Sequence, residues 1–364
     1  MKVSLKRIDD GCKSIPVGTS EEGHQLRLRC DYLSLVSDTH SLSEKQFLSE
    51  RFKAIRADNS LYRIAPHFSN GRIGKKSRYR EAVTIKAKYP GAPVLLWIGY
   101  GAVNKGAGDI RFDFRPQHLS NVGLNKLLLW LADEHRLGPL LFTLLERAWI
   151  TRVDAALDVY EFYLKDAYVS LKGSYKAENR DFPDGGREIC LGSRTSQLYI
   201  ACYPKIDALG TLPSEPDTEG MVTINTAQLP CFTRFEARLH MKQKHQLKLK
   251  NMQGIANLFD GLEFYNRSLD ADLVEYPEFA VLLQQWPLPQ AKSEFKKMVG
   301  KNELQKFERQ CLRYHIRPTF IDTPAVWEHW RLCIHNLGLL GQPAYWLLRH
   351  RQRREARGLS ILGL

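Results

Sequence analysis

Three stretches of the chain repeat one pattern, an arginine, an apolar residue and then a carboxylate: Arg111-Phe112-Asp113, Arg152-Val153-Asp154 and Arg234-Phe235-Glu236. Successive side chains of an extended chain point to opposite faces, so each arginine shares a face with its acid. If the three strands neighbour one another in one antiparallel sheet, Asp113, Asp154 and Glu236 converge. Carboxylates gathered in this way repel one another unless a cation lies among them. A hard divalent ion, Mg²⁺ or Mn²⁺, suits oxygen ligands and would act as a Lewis acid. The arginines two residues away suit a phosphate. The competing reading is structural: each acid pairs with the arginine two positions before it.

A nucleophile would decide which phosphate chemistry is meant. Tyr203 ends an alternating run and is followed by Pro204-Lys205. A phenol with its ordinary pKa near ~10 needs a neighbouring cation to become a useful nucleophile, and Lys205 is placed to help. By residue type alone Tyr203 is as readily a packing residue.

These residues require strands to carry them. In Ile150 to Tyr160 the apolar side chains of Val153, Ala155, Leu157 and Val159 alternate with Arg152, Asp154, Ala156 and Asp158. That is a strand with one greasy face and one face bearing two acids, unusual because aspartate is depleted in strands. A solvated outer face is the plain alternative. Further strands are expected at 26–36, 94–100, 110–115, 189–192, 197–203 and 232–240. A helix from Ser41 or Ser43 to Ala57, a leucine-rich helical hairpin over 124–145 broken at Gly138-Pro139, and a second helix after residue 160 complete the expectation. From about residue 266 the pattern turns helical, with proline breaks. The boundaries read as an N-terminal arm over 1–30, a catalytic domain over 31–265 and a helical domain over 266–364. The fold class expected is α+β, an antiparallel sheet with helices packed on one face, followed by the mainly helical C-terminal domain.

With 53 Lys and Arg against 40 Asp and Glu, the net charge of +13 points to a polyanionic partner. Arg72 to Arg80 interleaves basic and aromatic residues, and Arg349 to Arg357 carries five arginines. Both suit a phosphate backbone, and both would also serve as solvated surface. No run of about 18 apolar residues occurs and the first residues lack a signal-peptide core, so a cytoplasmic, non-membrane protein is expected. Seven scattered cysteines form no Cys-x-x-Cys pair and read as core or surface thiols. There is no phosphate-binding Gly-x-x-x-x-Gly-Lys-Ser/Thr loop, no His-hydrophobe-His pair and no Gly-x-Ser-x-Gly. ATP hydrolysis, histidine-held metal initiators and serine hydrolases are thereby disfavoured.

In order along the chain, Asp31-Tyr32-Leu33-Ser34-Leu35, the Arg111–Leu119 segment, Thr151 to Asp158, Leu191 to Ser196, Tyr203-Pro204-Lys205 and Arg234 to Leu239 resemble replication initiation proteins of rolling-circle plasmids and filamentous phages. The resemblance spans about residues 31–240. It implies origin-specific, metal-dependent nicking and closing, in which a tyrosine attacks one phosphodiester, leaving a 5′-phosphotyrosine and a 3′-hydroxyl that primes synthesis. It implies Tyr203 as nucleophile, with Tyr199 as the fallback. Asp154 and Glu236, with Asp113 or Asp158, would be the metal ligands, and Lys205, Arg194 and Arg234 would neutralise the phosphate. The partners implied are origin DNA, both double-stranded and as the displaced single strand, in a bacterial host. A host helicase, a host polymerase and a second copy of the chain are further candidates. Pro204 departs from the family, which tends to carry an acid there, and residues beyond about 266 show no counterpart. The rivals are a non-catalytic basic DNA-binding protein or repressor and a tyrosine recombinase. For the recombinase, His350 to Arg353 has the right spacing but no tyrosine follows.

Overall fold

Every strand among the described residues lies between Lys2 and Asn266, and in the long ones apolar side chains recur at every second position. The computed structural model describes residues 2–9, 14–66, 78–89, 91–104, 106–181, 187–208, 217, 220–241 and 247–340. The basic run is therefore described only from Arg78 onward, and the Arg349–Arg357 tail lies outside the described residues.

The strands, in chain order, are β1 (Lys2–Ser4), β2 (Ile8–Asp9), β3 (Ile15–Thr19), β4 (Gln25–Ser37), β5 (Arg63–Pro66), β6 (Tyr79–Lys86), β7 (Val94–Ala102), β8 (Ile110–Phe114) and β9 (Trp149–Tyr160). There follow β10 (Ala167–Leu171), β11 (Ala177–Asp181), β12 (Arg187–Leu191), β13 (Leu198–Asp207), β14 (Met221–Thr223), β15 (Cys231–His240), β16 (Leu247–Lys248) and β17 (Leu262–Asn266). The helices are α1 (Leu42–Ala57), α2 (Asn121–Leu131), α3 (Leu140–Arg147), α4 (Leu269–Asp272), α5 (Pro277–Gln285), α6 (Leu288–Gln310), α7 (Thr323–Glu328) and α8 (Trp330–Asn336).

One large sheet dominates, in the order β11-β12-β13-β15-β9-β4-β8-β7-β6-β5, with every neighbouring pair on that path antiparallel. The fold is α+β, with a helical region over 269–336. The centre of the sheet is β9, flanked by β15 and β4. Val153, Ala155, Leu157 and Val159 meet Leu28, Leu33, Phe112, Phe235, Ala237 and Ile200 in one core. Leu127, Leu131, Leu141, Leu144 and Leu145 of α2 and α3, together with Phe52 of α1, complete that core from one side. Ser41 caps α1, its hydroxyl accepting from the Glu44 N–H at 3.1 Å.

Two parts of the chain depart from expectation. After β9 comes no second helix: Ala167-Tyr168-Val169-Ser170-Leu171 alternates and pairs along its whole length with β17, a partner almost a hundred residues later. Local helical content lost to that non-local ladder. The N-terminal stretch read as an arm is threaded into the structure, since β2 runs parallel to β13 and β3 pairs with β4.

The helical region divides its packing. Phe279, Phe295, Leu304 and Phe307 of α5 and α6 form a second core. Phe320, Val326, Trp330, Ile334 and Leu337 instead belong to the core of the large sheet. Within α6 the helix is interrupted at Gly300, whose φ of 85° only glycine adopts at little cost. Among the described residues no helix is long and apolar enough to cross a membrane.

Phe235 is fully buried at the centre of the core, whereas Val274 is 82% exposed. Phe235→Ala is expected to cost about 3–5 kcal/mol of stability, and Val274→Ala no more than about 0.5 kcal/mol. Urea denaturation of the two variants measures the difference.

Candidate active site

The face of the sheet opposite the α2 and α3 contacts carries charges in ordered rows. Cα register across β13, β15 and β9 places Tyr203 beside Arg234 and Arg234 beside Asp158. The next row is Ala201, Glu236 and Ala156. The third runs Tyr199, Arg238, Asp154 and, on β4, Tyr32. The fourth runs His240, Arg152, Ser34 and, on β8, Asp113. Ala156 and Ala201 end at Cβ, which leaves the Glu236 carboxylate free to meet groups in the rows on both sides.

These acids are not solvated. Asp154 and Asp158 are completely buried, so β9 is covered on both faces and its carboxylates must be satisfied within the protein. Arg234 does most of this. It is itself fully buried; its Nε donates to Asp158 Oδ1 at 2.7 Å, its Nη1 to Asp31 Oδ1 at 2.8 Å, and its Nη2 to Asp9 and to Asp158. Arg29, equally buried, bridges Asp9 at 2.8 Å and Asp158. Burial favours a neutral Asp9 carboxyl, but Arg234, Arg29 and Lys205 overcome it and hold the pKa well below the usual carboxylate range.

A β-bulge brings Asp31 into this set. Cys30 pairs with Ala155 and Tyr32 with Asp154, so Asp31 is the extra residue on β4. Asp31 and Tyr32 consequently both lie on the charged side, Asp31 against Arg234 and Tyr32 beneath the Arg152 guanidinium at 4.4 Å.

Tyr203 and Glu236 are brought together directly. The Tyr203 hydroxyl donates to Glu236 Oε2 at 2.5 Å. Burial would raise the Glu236 pKa, but Arg238, donating from Nε at 2.6 Å and Nη2 at 3.0 Å, and the Tyr203 and Asp154 hydrogen bonds hold it at about 2. Tyr203 is partly exposed, yet desolvation and the charges of Glu236 and Asp31 push its phenol well above the ordinary value. Lys205 is 3% exposed, with Nζ 6.0 Å from the Tyr203 ring centre; burial and Arg234 lower its pKa. Pro204 leaves the pairing of β13 with β15 intact. It lies beyond the β12 pairing and before that of β2, on a stretch of strand edge where a residue lacking an N–H is tolerated. Tyr199 is nearly buried and its hydroxyl accepts from Arg238 Nη1 at 3.0 Å.

The remaining sequence candidates are placed elsewhere. Asp113 is on β8, separated from β9 by β4 and hence roughly 10 Å away at ordinary strand spacing. It pairs with Arg111 at 2.7 Å, and Arg152 likewise pairs with Asp154, so on two of the three strands the acid does take the arginine two positions earlier. On the third, Glu236 takes Arg238 and Arg234 is drawn to other strands. Arg194, in the turn after Gly192 (φ 88°), contacts Glu188 and Cys190 near the sheet's edge and touches none of these groups. Sequence reading missed Asp9, Asp31, Arg238 and His118. Asp9 and Asp31 had a signal, because Arg7-Ile8-Asp9 and Arg29-Cys30-Asp31 are further copies of the arginine, apolar, acid pattern, which also recurs at Arg56-Ala57-Asp58 away from this site.

Among the described residues no three His, Cys, Asp or Glu side chains are gathered into a metal cage. Desolvation above all, with the neighbouring Glu236, pushes Asp31 and Asp154 above their ordinary values, Asp154 strongly, although each is paired with an arginine, Asp31 with Arg234 and Asp154 with Arg152.

No protein-family model matches the chain, and no curated relative does so at a significant level. Among solved structures, a rolling circle replication initiator protein from Geobacillus stearothermophilus is similar at 16% identity over 66% of this chain and 88% of that one, with a TM-score of 0.34.

Arg234→Met leaves Asp31 without its ion pair and Asp9 and Asp158 with Arg29 alone, and is expected to cost about 3–5 kcal/mol, whereas Arg194→Ala at the edge should cost no more than about 1 kcal/mol. Chemical denaturation at pH 7 tests both. The His118 imidazole, on the 3₁₀ turn Pro116–His118, is pushed down to about 3 by burial and by Lys205, Arg115 and Arg234. A histidine with a depressed pKa contributes stability at neutral pH that is lost as the unfolded chain begins to take a proton below about 6.5. Between pH 6.5 and 3 the wild type is therefore expected to lose up to about 1.4 kcal/mol per pH unit relative to His118→Asn. Parallel denaturation curves for the two would exclude the effect.

Proposed function

We propose that this protein is a DNA nicking and closing enzyme that initiates rolling-circle replication, with Tyr203 as nucleophile. The observation that carries the reading is the hydroxyl of Tyr203, a residue that is itself only partly buried, donating to an ionised Glu236, beside Lys205, on the charged face of a chain of net charge +13. The sequence resemblance over about residues 31–240 supports the same residue.

In the proposed reaction the phenolic proton passes to Glu236 while Tyr203 Oη forms a bond to phosphorus. The P–O3′ bond breaks and the departing 3′-oxygen is protonated from solvent. A 5′-phosphotyrosine and a free 3′-hydroxyl result, and the reverse sequence closes the strand. Tyr203 is preferred over Tyr199 because its partner is a proton acceptor, whereas Tyr199 is nearly buried against a donor. Asp154 and Glu236, with Asp31 in the place expected for Asp113, would hold Mg²⁺ or Mn²⁺, which supplies a Lewis acid toward the phosphate and lowers the cost of a phenolate. Lys205 neutralises phosphate charge. Arg234 positions the acids, because its donors are already taken.

The non-catalytic DNA-binding alternative draws on a different observation: the raised Tyr203 phenol and the Arg152–Asp154 pair are what a purely structural face would show. Supercoiled DNA carrying the parent replicon's origin, incubated with Mg²⁺ or with EDTA, separates the two. Nicked circles and a 5′ adduct are expected with metal. Tyr203→Phe should abolish both while binding persists, and Lys205→Met should slow nicking roughly 10²–10³-fold. Binding without any nicking by the wild type leaves only the DNA-binding reading.

A further inference from the structure

Beyond Asp158 the charged face ends in a cavity of about 380 Å³, a volume usual for a small-ligand site. Gln25, Arg27, Tyr160, Glu161 and Asp207 line it. Alternation along β13 sets Asp207 on the same face as Tyr203 and Lys205, and register sets Arg27 beside Asp158. Four residues of extended chain lead from Tyr203 to Asp207, about 13 Å at the ordinary rise of a strand. One wall of the cavity is aromatic. The Tyr160 ring stacks on Phe232 with centroids 5.0 Å apart, and its hydroxyl donates to Asp207 Oδ2 at 2.6 Å.

Three of these side chains carry hydrogen-bonding groups that no other described residue satisfies. Arg27 donates from Nε to Ser14 Oγ at 2.9 Å and from Nη2 to the Ser14 carbonyl at 3.4 Å, which leaves Nη1 without a partner among the described residues. It has no ion pair there, since Asp158, its register neighbour, is held by Arg29 and Arg234. The Glu161 carboxylate and the Gln25 amide likewise have no partner among the described residues. Glu161 is also the only non-glycine among them with a left-handed backbone, at φ 57°. Its N–H donates to the Cys231 carbonyl at 3.1 Å, which holds the turn after β9. Glycine adopts that conformation at less cost, so strain is accepted at the position where a carboxylate lines the cavity.

Two carboxylates against one guanidinium repel a phosphate, so the cavity suits a base and not the backbone. A free guanidinium nitrogen and a free carboxylate beside an aromatic wall match a planar ring with acceptors on one edge and donors on the next. Among the DNA bases guanine alone adjoins two acceptors, O6 and N7, to two donors, N1–H and the N2 amine; the other three present a single donor group. We propose that this cavity holds one unpaired guanine of the DNA strand that Tyr203 attacks, with Arg27 Nη1 donating to O6 and N7 and Glu161 accepting from N1–H and N2–H. The proposal rests on the nicking reading for the identity of that strand. At the roughly 3.4 Å per base of a stacked strand, the guanine lies about four nucleotides from the attacked phosphodiester.

The test is the anisotropy of labelled single-stranded oligo(dT), with and without one central dG, titrated with the full chain. Wild type is expected to bind the dG strand about tenfold more tightly. Deoxyinosine in place of dG, which lacks the N2 amine, or 7-deaza-dG, which lacks N7, should lose most of that gain. Glu161→Gln should bind the dG and deoxyinosine strands alike, and Arg27→Gln the dG and 7-deaza-dG strands alike. Tyr203→Phe should keep the full preference. Equal wild-type binding of the dT and dG strands overturns the pocket, even if nicking depends on Tyr203. A preference that survives in both Glu161→Gln and Arg27→Gln overturns it as well. A preference that both substitutions remove, in a protein that never nicks, keeps the pocket and removes the enzyme reading instead. Free dGMP, followed by calorimetry, separates the two sources of the base: binding of dGMP without any preference for the dG strand overturns the assignment to DNA. Should Arg27→Gln unfold in a denaturation control, the two base analogues on wild type decide alone.

Discussion

A guanidinium removed from water and shared among three aspartates is the constraint on which the charged face of this sheet depends. Arg234 has no accessible surface, and Asp9, Asp31 and Asp158 approach it from the N-terminal strand β2, the bulge of β4 and the centre of β9. Desolvating any of these charges alone would cost several kcal/mol, so each is tolerated only while its partners hold their positions. Strands distant in sequence are thereby held in one register, and an N-terminal segment that reads as an irregular arm becomes part of the interior.

This network also decides which groups are left for chemistry. Because Arg234 is drawn toward Asp158, Glu236 is paired instead with Arg238, and its second oxygen accepts the Tyr203 hydroxyl. Alanines at 156 and 201 clear the space on either side of Glu236. The outcome is a carboxylate held ionised against burial, next to a phenol held protonated by the same burial and by nearby negative charge.

Much of this was legible from residue order because it is local. Alternation over Ile150 to Tyr160 marks a strand whatever surrounds it, as Ser41 marks the start of α1 and Gly138-Pro139 the break between α2 and α3. The arginine, apolar, acid pattern placed Asp154 and Glu236 on one face, and further copies at Arg7-Ile8-Asp9 and Arg29-Cys30-Asp31 carried the same information for Asp9 and Asp31. The segment after β9 was misread as a helix because its strand character is realised only through pairing with β17.

The sequence by itself determined which residues are strand, which share a face, and that acids and bases alternate there, since all three follow from a two-residue period and from side-chain chemistry. Only the tertiary structure decided who meets whom. The order β13-β15-β9-β4-β8 puts Asp113 two strands away from Asp154 and sets Asp31 against Arg234, because strand order depends on pairings across more than a hundred residues. The bulge at Asp31 and the docking of β2 bring in acids that compete for Arg234. With every buried charge requiring an opposite partner and Asp9 and Asp31 already held by arginines, that competition left Lys205 buried with no ion pair of its own among the described residues.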